Sequence, residues 1–175
     1  MSHYVVISAL GEDRSGIVKG LSKRILDCGG NIAESRMAVL GGEFTIVMLV
    51  QGVESAADAI EQHSQKWGDE LGLVIHTKRT RPRTVDAASL NYQVEVVSMD
   101  HPGIVHDITD FLSSRDINIQ ELETHSYAAA HTGTPMFAVN IQISVPAVLS
   151  VGKFKREFLD FCDSLNLDGQ IEAQR

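Results

Sequence analysis

The chain has 175 residues, of which 43% are hydrophobic and 22% charged, as is typical of a globular protein. The formal net charge of −8 opposes binding to nucleic acid through phosphates, which needs a basic face. Two cysteines are too few for a disulfide framework, and no apolar run is long enough to span a bilayer. The amino terminus leads directly into an apolar strand without a basic signal region, so we expect a cytoplasmic protein.

The first half of the chain predicts the order strand, helix, strand, strand, helix, strand. Predicted strands cover residues 4–10, 32–40, 44–50 and 73–77, and predicted helices cover 17–28 and 53–71. In the first helix the periodic apolar face has Val18 and Leu26 beside it. Gly29-Gly30 ends that helix, and Gly41-Gly42 predicts a tight hairpin between the second and third strands.

The second half predicts the same order again. Predicted strands cover residues 92–97, 119–127, 137–145 and 167–173, and predicted helices cover 104–112 and 148–165. Pro102 suits the start of the first of these helices, because its missing N–H has no helical partner there. The second and third strands are joined by a longer loop over 128–135, where a shared scaffold can acquire specificity or simply tolerate an insertion.

A repeated motif explains why the two halves match. The segment Asp13-Arg14-Ser15-Gly16-Ile17-Val18 recurs as Asp100-His101-Pro102-Gly103-Ile104-Val105, an offset of 87 (103 − 16). The same offset relates Asn31-Ile32 to Asn118-Ile119, and Glu34 to Glu121. Two copies of one supersecondary unit therefore fill the chain.

The repeat predicts an α+β protein with two ferredoxin-like βαββαβ sandwiches in tandem. We predict the first domain over residues 1–79, a linker over 80–89 and the second domain over 90–175. Right-handed crossovers place the first and third strands of each domain at the centre of its sheet, with both helices on one face. The helix-free faces and the sheet edges are the expected pairing surfaces, within the chain and in a homo-oligomer.

The repeated turn leads into a helix start, where unpaired amides attract a carboxylate or a phosphate. Gly16 and Gly103 would leave room for close approach of such a group. Two roles remain open for the acidic residues, because Asp13 and Asp100 could contact a ligand or could cap the helix, as Ser15 could.

Asn31 and Asn118 each open a second strand. Asparagine tolerates left-handed backbone angles, so both residues could serve the turn alone. Alternatively, each side-chain amide and the following backbone N–H could bind a small zwitterion.

These motifs, in this strand and helix order, resemble the ACT domain, an amino-acid-sensing module. A tandem pair with nothing else attached resembles the glycine cleavage system transcriptional repressor family. The resemblance implies an amino-acid effector, glycine first, at the interface of paired domains, and action on a partner transcription factor rather than on DNA. Matched to the motifs, it implicates Asp13, Gly16, Asn31 and Ile32 in the first copy, and Asp100, Gly103, Asn118 and Ile119 in the second. Ser15 and Pro102 differ at equivalent positions, so the two sites need not be equivalent.

Other functions are weaker predictions. Lys78, Arg79, Arg81 and Arg83 are the one basic cluster, which favours a solvated linker over a DNA-contacting arm. Glu121, Glu123 and His125 share a strand face, but an exposed polar face is favoured over a metal site. No nucleotide loop, dinucleotide fingerprint or nucleophile elbow is present, and we expect neither an enzyme nor a cofactor. The remaining alternatives are a ligand-free adaptor and a regulatory fragment related to formyltetrahydrofolate deformylase.

Overall fold

A computed structural model describes residues 2–82 and 89–174, which form two compact units. Unit 1 lies within Met1–Thr84 and unit 2 within Val85–Arg175. Unit 1 contains β1 (His3–Glu12), α1 (Ile17–Asp27), β2 (Asn31–Leu40), β3 (Glu43–Gly52), α2 (Glu54–Leu71) and β4 (Val74–Thr80). Unit 2 contains β5 (Ser89–Met99), α3 (Ile104–Ser113), β6 (Asn118–Ala128), β7 (Pro135–Pro146), α4 (Val151–Ser164) and β8 (Asp168–Ala173).

Each unit has one antiparallel four-stranded sheet, in the order β2-β3-β1-β4 or β6-β7-β5-β8. The prediction that the first and third strands of each copy are central is therefore confirmed, as is the fold class. Strands β2 and β6 are edge strands, and each has a register shift three residues from its start. The bulge is thus repeated with the rest of the unit.

Alternating strand residues and one stripe of each helix form two separate cores. In unit 1, strand residues such as Val5 and Ile7 pack against Leu21 and Ile25 of α1. The core of unit 2 is more aromatic, and the rings of Phe111 and Phe161 stack with centroids 4.5 Å apart. No helix in the described part of the chain is long and apolar enough to cross a membrane.

Two details of the first half concern the face of α1 and the linker. Val18 and Leu26, which flank the apolar face of α1, are 42% and 71% exposed, because α1 packs on the sheet through a narrow stripe. Strand β4 also continues to Thr80, so Lys78 and Arg79 are strand residues rather than part of a polar linker. Residues 83–88 of the predicted linker lie outside the described residues.

The last helix and last strand of each unit approach closely at a glycine. In unit 1 the glycine is Gly68 on α2, where an added Cβ would lie 2.5 Å from the carbonyl oxygen of Leu73. In unit 2 it is Gly169 on β8, where an added Cβ would lie 2.5 Å from Sγ of Cys162 on α4. Both units therefore need a small residue at this contact, but they place it on different elements.

Candidate functional site

The turn between β1 and α1 contains the first group of predicted site residues. Gly16 precedes the helix with a φ of 92°, a left-handed angle that favours glycine. An added Cβ there would meet no atom within 4 Å, so the backbone angle alone already accounts for the glycine. No side chain caps α1, so the interpretation of Ser15 or Asp13 as a cap is wrong. The first-turn amides consequently have no capping oxygen.

Backbone and side-chain hydrogen bonds hold this turn in place. The N–H of Asp13 donates to the carbonyl oxygen of Gly42 over 3.0 Å, which ties the turn to the β2–β3 hairpin. The guanidinium of Arg14 donates to the carbonyl oxygen of Leu71 at the end of α2. Within residues 2–82 and 89–174, the carboxylate of Asp13 accepts no hydrogen bond. The turn thus presents a carboxylate with no hydrogen-bond partner in the described part of the chain, four residues before the first residue of α1.

The equivalent turn of unit 2 has the same backbone but a different side-chain arrangement. Gly103 has a φ of 103°, α3 has no side-chain cap, and the N–H of Asp100 donates to the carbonyl oxygen of Pro135 over 3.0 Å. Asp100 is therefore not a helix cap either. Its Oδ2 accepts a hydrogen bond of 3.0 Å from the hydroxyl of Ser126 on β6. Nδ1 of His101 lies 3.1 Å from the carbonyl oxygen of Pro102.

The difference between the two carboxylates follows from one position on the edge strand. Ser126 of unit 2 corresponds to Val39 of unit 1 at the repeat offset of 87 (126 − 39). The side chain of valine cannot donate a hydrogen bond, so Asp13 lacks the partner that Asp100 has. The two turns are therefore chemically inequivalent, for a reason additional to the exchange of Ser15 for Pro102.

The predicted asparagines are the first residues of the edge strands. Asn31 is exposed and pairs in register with Gln51, and Asn118 is exposed and pairs with Ser144. Neither has a positive φ, so the interpretation as a left-handed turn residue is wrong. The following Ile32 and Ile119 pack partly against the cores of their units.

Within one unit, the turn and the asparagine lie at opposite ends of the sheet. Asn31 pairs with Gln51, which pairs with Tyr4 at the start of β1, whereas the turn follows Glu12 at its end. Eight residues of strand separate those rows, which is about 26 Å at 3.3 Å per residue. One unit therefore does not bring the predicted residues together.

Unit 1 also has two grooves that the sequence analysis did not identify. One, of about 290 Å³, lies on the helix-free sheet face and includes Val6, Val47 and Leu49 in its lining. The other, of about 370 Å³, lies across α1 and α2 and includes Cys28 and Trp67. Strands β1 and β3 have apolar residues on the helix-free face as well as on the buried face, and this is the sequence signal that could have indicated the first groove. Neither groove includes the turn or Asn31.

The thiols have the wrong properties for nucleophiles. Burial, followed by the nearby charge of Asp27, raises the pKa of Cys28. Burial, followed by the charges of Asp163 and Asp168, raises the pKa of Cys162 to about 11. Both thiols are therefore neutral at physiological pH, whereas a nucleophilic cysteine needs a lowered pKa. Among the described residues, no three His, Cys, Asp or Glu side chains cluster as a metal ion would require.

The predicted basic cluster is partly used inside unit 1. Arg79 donates to Glu61 over 2.9 Å and also to Asp58, so β4 is tied to α2 by two ion pairs. These carboxylates raise the pKa of Arg79, with Glu61 contributing most. Arg79 is therefore committed to internal carboxylates rather than to a ligand with phosphates. Arg83 lies outside the described residues.

Comparison with known proteins gives the family. Residues 3–78 match the family model described as ACT domain. The chain is 37% identical to the glycine cleavage system transcriptional repressor of Escherichia coli (strain K12), over 98% of this chain and 90% of that protein. The chain is also 33% identical to a UPF0237 protein of Methanocaldococcus jannaschii, over 41% of this chain and 81% of that protein.

A solved structure shares the whole architecture. The crystal structure of an unknown protein from Galdieria sulphuraria superposes with a TM-score of 0.81 and 27% identity, and covers 100% of both chains. The tandem fold is thus found in full in another protein, and the sequence relationship to the E. coli protein also spans both units. The chain belongs to the glycine cleavage system transcriptional repressor family, a family of regulators with tandem ACT domains.

Proposed function

We propose that this protein is a non-enzymatic, cytoplasmic regulator whose ACT-like units bind a small amino acid. Glycine is the first candidate, because the relative with 37% identity is a repressor of the glycine cleavage system. The response would pass to a partner transcription factor, because the net charge of −8 and the internal pairing of Arg79 disfavour direct contact with DNA.

The observation that carries this proposal is the turn of unit 1. The unpaired carboxylate of Asp13 suits an ammonium group, and the uncapped first-turn amides of α1 suit a carboxylate. A free amino acid has these two groups one carbon apart. Asn31 or Asn118 of another ACT-like unit would add donors and an acceptor, and a site of that kind would favour one arrangement of the units over another.

A binding experiment with charge-neutral variants tests the site. Glycine at 100 times its Kd should stabilise the wild-type chain by about 2.7 kcal/mol. We expect Asp13→Asn to lose most of the shift in thermal midpoint, because an amide binds ammonium weakly. Asp69→Asn, at an exposed position of α2, is the matched control and should keep the full shift.

The same experiment separates the alternatives. If glycine, serine, alanine and the other amino acids all leave the midpoint unchanged, the protein is a ligand-free adaptor and the sensor proposal fails. Direct binding to DNA would appear as retardation of duplex DNA at low salt that decreases steeply as salt is added. We expect no retardation by the protein alone.

A further inference from the structure

The helix-free sheet face of unit 1 has a self-complementary row of side chains. In register across β2, β3, β1 and β4 lie Glu34, Leu49, Val6 and Lys78. These side chains point away from the helices, because the alternate strand residues are the buried ones. The row is therefore acidic at one edge, apolar in the middle and basic at the other edge.

The equivalent row of unit 2 is not self-complementary. Across β6, β7, β5 and β8 it consists of Glu121, Gln142, Gln93 and Glu172, with an acid at both edges and amides between. The four strands of unit 2 contain no lysine or arginine. Two such faces would repel each other, so this face serves as an internal comparison.

The apolar middle of the unit 1 face extends beyond that one row. Val47, Leu10 and Val74 are 48%, 49% and 60% exposed, and they belong to the same face. The groove of about 290 Å³ lies over the middle of the face, between Glu34 of β2 and Thr80 of β4. Clustered exposed apolar residues with a charged rim are typical of a protein interaction surface.

We propose that this face binds the same face of a second copy of the chain. A two-fold axis parallel to the strands places Glu34 over Lys78 of the partner subunit and repeats that contact on the other side. The apolar residues of the two faces would then meet between these ion pairs, about 10 Å apart as in other sheet-on-sheet packings. Charge complementarity selects a second copy, because the row matches itself after this rotation.

The size of the face sets the expected strength. The face is four strands wide and about three outward-facing side chains long, so it measures roughly 19 by 20 Å. This is below the contact of about 800 Å² per partner found in standard interfaces, so we expect a concentration-dependent dimer in the micromolar range. The proposal does not depend on an amino-acid effector.

Charge exchange on the full-length chain tests the proposal by sedimentation velocity over a range of concentrations. The wild type should shift from monomer to dimer as concentration rises. Lys78→Glu makes both edges acidic and Glu34→Lys makes both basic, so each should weaken the dimer by about tenfold or more. The double variant E34K/K78E restores opposite edges and should recover the dimer. Glu34 also pairs with Arg36 at 3.5 Å, which makes Lys78→Glu the cleaner single change.

Matched variants distinguish this face from others. Glu121→Lys changes the equivalent row of unit 2 and should leave the dimer intact. Val47→Glu places a charge in the apolar middle and should abolish the dimer, while far-ultraviolet circular dichroism verifies that the fold is kept. The proposal is overturned by a wild type that stays monomeric throughout, by a double variant no better than the single ones, or by an equal effect of Glu121→Lys.

Discussion

In unit 1, α2 has Gly68 at its closest contact with the last strand, and Ile75 lies across from it on β4. Unit 2 reverses the two roles, with Cys162 on α4 and Gly169 on β8. The requirement common to both units is a close approach of helix and strand, which one small residue on either element can satisfy. A repeated fold therefore retains a distance rather than a particular residue.

The surfaces of the two units diverge more than their cores. Among the described residues, the carboxylate of Asp13 in unit 1 has no hydrogen-bond partner, and the sheet face of unit 1 is largely apolar. In unit 2, Asp100 accepts a hydrogen bond from Ser126, and the sheet face has no lysine or arginine. Strand order, bulge position and turn conformation are the same in both. The two copies therefore share a scaffold and differ in the side chains at their surfaces.

The largest effect should come from filling the helix–strand contacts. Gly68→Ala places a Cβ 2.5 Å from a backbone oxygen, which cannot move without shifting the chain. We expect a loss of about 3 kcal/mol in the free energy of unfolding, measured by urea titration. In Gly169→Ala the new Cβ meets a side chain instead, so the loss should be about 2 kcal/mol. The loss should be smaller when Cys162 is also replaced by alanine.

A glycine without a close neighbour provides the control for both substitutions. Gly152 lies in the first turn of α4, and an added Cβ there would meet no atom within 4 Å. Gly152→Ala should therefore leave the free energy of unfolding unchanged or raise it by a few tenths of a kcal/mol. A Gly68→Ala protein as stable as Gly152→Ala would contradict the close contact.

The thiol of Cys162 at this contact also predicts a pH dependence of stability. The ordinary pKa of the thiol is 9.0, and burial raises that of Cys162 to about 11. Below pH 9 the thiol is neutral in both states. Between about pH 9 and 11 the unfolded chain loses the proton first, so stability falls by on the order of 2 kcal/mol. In urea titrations at each pH, Cys162→Ala should lack this contribution and lose less stability than wild type between about pH 9 and 11, and parallel curves for the two proteins would refute it.

The fold was accessible from the sequence because its signals are local. Period-two and helical patterns located the strands and helices, and right-handed crossovers fixed which strands are central. The error at the start of the linker arises because a sequence pattern does not show how an element packs. A polar segment can continue a strand when a helix supplies carboxylates, as Asp58 and Glu61 do for Arg79.

The site was less accessible because it depends on residues far apart in the chain. The repeat pointed to the turns and the asparagines, but only the register shows that Asn31 and Asp13 lie at opposite ends of one sheet. The hydrogen bond between Ser126 and Asp100 joins residues 26 apart. Helix capping failed as a prediction because Gly16, rather than a polar residue, occupies the cap position with a left-handed φ.

The smallest expected effect concerns the ion pair that joins the two helices of each unit. Arg24 contacts Glu70 at 2.8 Å in unit 1, and Arg115 contacts Glu157 at 3.1 Å in unit 2. Arg115 also lies over the ring of Phe111, 3.7 Å from its centroid. Arg115→Met should therefore lower the free energy of unfolding more than Arg24→Met, and the difference should be about 0.5–1 kcal/mol, as for an exposed cation–π contact.

Salt and acid separate the two contributions of Arg115. Hydrogen bonds from the arginines lower the pKa of Glu70 and of Glu157, so the stability from each ion pair is present above the ordinary glutamate pKa. It is lost as the pH falls through the lowered value. At low pH or high salt, Arg24→Met and wild type should have nearly the same free energy of unfolding. Arg115→Met should remain less stable than wild type, because stacking on Phe111 does not need a carboxylate. Equal losses for both variants under all conditions would show that the ring contact contributes nothing.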